Sequence, residues 1–118
     1  MGVPNKNIQD AESRSEIIVL VTASSEEEAT KIARSLVDTG LAACANILPG
    51  VKSIFRWQGK VLEETELLVI LKTKADLFEK LSDKVKQLHS YEVPEVIACP
   101  IVKGLKAYLN WISNETLK

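Results

Sequence analysis

Between Glu16 and Thr22 the chain reads EIIVLVT: five consecutive apolar residues, all but one of them β-branched. A run this short falls far below the roughly 20 residues that cross a bilayer, and it lacks the polar alternation of a strand with one wet face. It reads as a central strand covered on both sides. The rest of the chain has to supply that cover. Ser24 and Ser25 follow, with Glu27 and Glu28 three residues after each, the spacing at which a hydroxyl and a carboxylate cap a helix start. Ala29, Ile32, Ala33, Leu36 and Val37 then recur at helical spacing, and Gly40 is placed to close the helix in a left-handed conformation.

Apolar residues resume from Leu41 to Ile47, Pro49-Gly50 marks a turn or bulge, and Val51 to Trp57 alternates as a strand before Gln58-Gly59 turns it. Val61 to Lys72 returns beside it, completing a long hairpin that is interrupted by Glu63, Glu64, Thr65 and Glu66 and projects beyond the body of the fold. Leu77, Phe78, Leu81, Val85 and Leu88 predict a second helix, stopped before Pro94 because proline disfavours helical geometry in the residue preceding it. Val96 to Val102 predicts a last strand, with Pro100 confining it to an edge or bulge, and Leu105, Tyr108, Leu109 and Ile112 predict a short helix after Gly104. This order is an α+β, ferredoxin-like β-α-β-β-α-β plait with an extended β-hairpin and a C-terminal helix. Two helices cover one sheet face only. The other face would expose a broad apolar surface, so self-association is expected.

Residues 1–15 are polar, lack the apolar block of a secretory signal, and read as a flexible tail; residues 16–118 read as one domain. Fifteen basic and 16 acidic residues give a formal charge of -1 with no basic run, which argues against a nucleic-acid partner. No membrane partner is expected either. Cys44 and Cys99 are too few and too far apart for a disulfide framework or a CxxC knuckle, so buried thiols in a reducing cytoplasm are expected. The chain has no phosphate loop, GxSxG elbow or HExxH, and a single histidine, so no enzymatic constellation assembles within it.

The candidate site residues each carry two readings. His89 ends the second helix, where the helix dipole favours a protonated imidazole; it reads as a cap or as a metal or ligand contact. Cys44, among small neighbours, reads as core filler or as a thiol ligand. Trp57, Lys60, Tyr91 and Glu95 lie near turns and read as interface packing or as a pocket between subunits, with Glu95 ion-paired to a lysine such as Lys60 or Lys72.

Several ordered motifs resemble the CutA family of divalent-cation tolerance proteins: Val19 to Ala23, Gly40 to Ile47, Pro49 to Lys60, Glu66 to Thr73, His89 to Glu95, and Tyr108 to Trp111. The resemblance implies a homotrimer, similar in architecture to the PII signalling proteins, linked to tolerance of copper and other divalent ions. In relatives with a proposed copper site the ligands are a first-strand cysteine and two adjacent histidines. Here those positions hold Val21 and Leu88, and only His89 matches. Copper or another divalent ion is therefore expected to bind weakly, or through donors completed by another subunit. The alternative expectation is a PII-like sensor or scaffold with a small-molecule site between subunits. The motifs name no protein partner.

Overall fold

The computed structural model describes residues 15–118, so the expected tail lies outside the described residues except for Ser15. Strand β1 (Glu16–Ala23) is the central strand its composition predicts, paired antiparallel to β3 (Lys60–Lys74) on one side and to β4 (Val96–Pro100) on the other. With β2 (Cys44–Trp57) outside β3, the sheet order is β2-β3-β1-β4. Helices α1 (Glu26–Asp38) and α2 (Phe78–Leu88, entered through a short turn at Ala75–Leu77) connect the strands, and α3 (Lys106–Asn114) follows β4. The order is that of the ferredoxin-like plait.

Alternation in β1 divides its apolar run between two faces. Ile17, Val19, Val21 and Ala23 pack with Val69 and Leu71 of β3 against Ile32 and Leu36 of α1 and Leu81 and Val85 of α2. Each valine, leucine or isoleucine side chain buried in this layer contributes about 1.5–3 kcal/mol. Ile18, Leu20, Leu68 and Ile70 point the other way, in register with Leu48 of β2 and Ile97 of β4, the last two 43% and 51% exposed. This open face is the broad apolar surface expected from the sequence.

The ends of α1 carry its caps. Ser25 Oγ accepts the Glu28 N–H at 3.1 Å, so Ser25 rather than Ser24 is the cap. At the other end Gly40, at φ 76°, lets the Leu41 N–H reach the Leu36 carbonyl and its own N–H reach that of Val37, the paired bonds of a left-handed stop. Leu41 and Ala42 belong to this stop and to the core, and β2 begins only at Cys44. Thr73 Oγ1, fully buried, donates to the Leu41 carbonyl at 2.6 Å and fixes the crossing.

Pro49-Gly50 is a bulge, with register slipping between Leu48 and Val51 and Gly50 at φ 74°. The extra residue reverses the alternation of β2. Before it, Ala45 and Ile47 point to the helices; after it, Ser53, Phe55 and Trp57 pair with Glu64, Leu62 and Lys60 on the open-face side. Gln58 and Gly59, both at positive φ (51° and 79°), close the hairpin in a two-residue turn. At the far end of the sheet α3 buries Leu109 and Ile112, Ser113 Oγ donates to Glu16 Oε2 at 2.6 Å, and the Leu117 N–H bonds the Gly40 carbonyl.

Candidate functional site

Strand β1 ends opposite Leu67, but β2 and β3 continue past it as a free two-stranded arm. The segment 89–95, between α2 and β4, lies alongside this overhang. His89 starts it: the backbone turns extended there (φ -84°, ψ 141°) and ends α2. Its ring is buried. Nε2 lies 2.6 Å from the Thr22 carbonyl, and Nδ1 accepts the Tyr91 N–H at 3.0 Å. A nitrogen that accepts cannot carry a proton, so the ring is the neutral Nε2–H tautomer. That corrects the expectation of a protonated, dipole-stabilised cap. Glu28 Oε1 is 3.5 Å from the same Nδ1, yet its carboxylate is engaged by the Ser90 N–H at 3.0 Å and Ser90 Oγ at 3.2 Å. Glu28 thus ties α1 to the segment instead of closing a capping box.

These anchors position Tyr91, whose hydroxyl donates to Glu66 Oε2 at 2.6 Å. Burial first, and then the hydrogen bond and charge of Glu66, push the Tyr91 phenol well above its ordinary value, so it stays a donor. Glu66 is only 6% exposed. Between arm and segment runs a groove of about 600 Å³. Phe55, Trp57 and Leu62 line its arm side, and Glu64, Glu66, Glu92 and Glu95 give it four carboxylates with no basic side chain among its lining residues.

The structure brings Trp57, Tyr91 and Glu95 to this groove. Lys60 pairs across from Trp57 near the hairpin tip and is not part of the lining. Among the described residues Glu95 has no ion pair; Lys72, one of its expected partners, bonds Asn46 Oδ1 and sits 3.9 Å from Cys44 Sγ. His89 and Cys44 are not together either. Cys44 is level with Lys72 and His89 contacts Thr22, level with Leu68, an offset of four residues or about 13 Å along the strands. Nor are the thiols buried as expected. Cys44 is half-buried and Cys99 exposed, because alternation sends both to the open face, in one row with Lys72 and Ile18.

Glu66 joins the groove without having been expected there, and Glu28, expected only as a helix cap, joins its supports. A usable signal existed for Glu66, which has the same strand parity as Leu68 and Ile70 and directly adjoins the apolar run of β3.

Residues 17–115 match the family model described as CutA1 divalent ion tolerance protein. The chain belongs to this family. A divalent-cation tolerance protein CutA from Thermus thermophilus is 52% identical over 101 residues, covering 86% of this chain and 98% of the relative. The chloroplastic CutA of Arabidopsis thaliana is 47% identical over 100 residues, 85% of this chain but 55% of the longer plant protein. Among solved structures, the Thermus thermophilus CutA1 superposes with a TM-score of 0.85 at 51% identity, covering 86% and 99% of the two chains. CutA1 from Oryza sativa gives 0.86 at 43%, covering 89% and 96%.

A divalent ion held within one CutA1 chain needs three or four donors converging on a point. Among the described residues no group of three or more His, Cys, Asp or Glu side chains does so. Val21 is a fully buried core residue, and Leu88 packs against the core. Both ring nitrogens of His89 are engaged by backbone groups. The donors among the described residues of a single chain do not fit a closed metal centre.

Proposed function

We propose that the chain acts in divalent-cation tolerance as a homotrimer that meets the metal ion as cargo at seams between copies. The observation that carries this reading is the open sheet face, where Ile18, Leu20, Leu68, Ile70 and Ile97 form an apolar surface that α1 and α2 leave uncovered. Cys44 and Cys99 lie on that face. Covering it with sister copies brings thiols of different chains to one seam, where soft donors suit copper. Cys44 is then the metal contact and His89 a structural residue. Sedimentation velocity checks the assembly, and calorimetry with Cu(I) and Cu(II) checks the contact. Cys44→Ser is expected to remove the copper heat and His89→Ala to retain it; loss in His89→Ala alone overturns the assignment.

The groove favours a second reading of the same assembly, a PII-like sensor or scaffold that takes a small molecule. The groove opens on the same side of the sheet, so covering copies border it. Thermal shifts across a metabolite and nucleotide panel test this, and a flat response at millimolar ligand overturns it. A cytoplasmic location, with no enzymatic activity, completes the proposal. It is supported by two unpaired thiols, although relatives carry names that place them in chloroplast or periplasm. No helix among the described residues is long and apolar enough to cross a membrane.

A further inference from the structure

We propose that the groove between the hairpin arm and segment 89–95 binds an organic cation, its ammonium or amidinium group on Glu66 and its apolar body against Trp57 and Phe55. This rests on the reading of the groove as a ligand site and names the ligand's chemistry. Three independent observations lead to it.

The first is an uncompensated buried charge. Glu66 is 94% shielded from water, faces the groove, and receives one hydrogen bond, from the neutral Tyr91 hydroxyl to Oε2. Among the described residues no donor reaches Oε1 and no cation pairs with the side chain. Buried carboxylates are ordinarily matched by charged donors, because a lone neutral hydrogen bond does not replace the lost hydration. A cationic ligand supplies the missing partner.

The second is the field of the groove. Glu64, Glu92 and Glu95 add three carboxylates to its lining, and no lysine or arginine is among the lining residues. Anionic ligands such as nucleotides are repelled, while cations are drawn in and focused.

The third is shape and surface, which separate an organic cation from a metal ion. About 600 Å³ lies within the range of roughly 300–1,000 Å³ typical of sites for small organic molecules. Trp57 and Phe55, 42% and 38% exposed, present aromatic surface to it, which is suited to cation–π contact and to covering an apolar body. The carboxylates are spread along the groove and do not converge, since no group of three such donors gathers among the described residues. A bare divalent ion would find neither its coordination number nor a use for the aromatic wall.

The test uses the full chain and phenethylammonium as probe, with phenylpropanol and phenylpropanoate as neutral and anionic counterparts, read by calorimetry and by tryptophan fluorescence. Saturable binding of the amine is expected, weaker by about tenfold or more for the alcohol, and none for the carboxylate. Glu66→Gln, which keeps size and the Tyr91 contact, is expected to weaken the amine by about tenfold with an unchanged circular dichroism spectrum. If that variant does not fold, the double variant Glu92→Gln/Glu95→Gln and Trp57→Ala decide, each expected to weaken the amine severalfold. Equal binding of alcohol and amine, or amine binding indifferent to these changes, overturns the inference. So does saturable binding of Zn²⁺ or of phenylpropanoate without any amine binding, although the latter leaves the groove a ligand site. Sedimentation of the same samples keeps the readings apart, because an assembled protein that ignores the amine sinks only this inference.

Discussion

Replacing His89 by alanine removes a ring that bridges the end of β1 and the start of segment 89–95. Two bonds are lost, the 2.6 Å contact with the Thr22 carbonyl and the 3.0 Å bond from the Tyr91 N–H. Leaving a partly buried polar group without its partner costs about 1–3 kcal/mol. Water can reach part of this region, since Thr22 and Tyr91 are only half-buried. Taking the lower half of that range for each of the two groups gives about 2–4 kcal/mol, before any lost packing of the buried ring is counted. For a domain near 100 residues this is a fall in Tm of roughly 10–30 °C. The assay is thermal or urea unfolding at one fixed protomer concentration, because any assembly makes the midpoint concentration-dependent. A variant within about 0.5 kcal/mol of the parent, the scatter of an ordinary surface change, would refute the view that both ring nitrogens serve the fold. It would return the imidazole to the pool of candidate ligands.

Tyr91→Phe leaves the buried Glu66 carboxylate without its donor and is expected to cost about 1–2 kcal/mol by urea unfolding at neutral pH. Because the folded Tyr91 phenol lies above its unfolded value, its contribution is complete below about pH 10 and is lost as pH rises further. The parent should therefore lose more stability than the variant on the alkaline side, and parallel curves would contradict this. Gln58→Asn places a residue tolerant of positive φ in the hairpin turn and is expected to add about 0.5–1 kcal/mol, seen as a higher unfolding midpoint. Ile70→Glu puts a charge on the open face and is expected to lower the sedimentation coefficient to that of a smaller species while circular dichroism is retained; an unchanged coefficient would count against burial of that face between copies.

Local chemistry made much of the fold legible. Ser25, Gly40, Pro49-Gly50 and Gln58-Gly59 mark a cap, a stop, a bulge and a turn because each satisfies a backbone requirement within a few residues of itself. Periodicity found α1 and α2 for the same reason. Strand limits shifted where tertiary contacts intervene: Leu41 and Ala42 are apolar because they enter the core after α1, not because they pair in β2. The site was legible only in part. Trp57, Tyr91 and Glu95 stand out as aromatic or charged residues near turns, and all three line the groove. Glu66 and Glu28 were hidden, because their partners Tyr91 and Ser90 lie 25 and 62 positions away and only the folded chain joins them. The thiols misled in the opposite direction, since small neighbours suggest burial while strand parity decides which side each one faces.

The residue inserted at Pro49-Gly50 behaves like a shift of reading frame written into three dimensions. Removing it would straighten the ladder and leave Ser53, Phe55 and Trp57 opposite Glu64, Leu62 and Lys60 on the same surface, so the insertion bends the arm without choosing its face. Even positions of β2 face the open side before the bulge and odd ones after it, so an alternation carried straight through would assign the aromatic wall to the wrong surface.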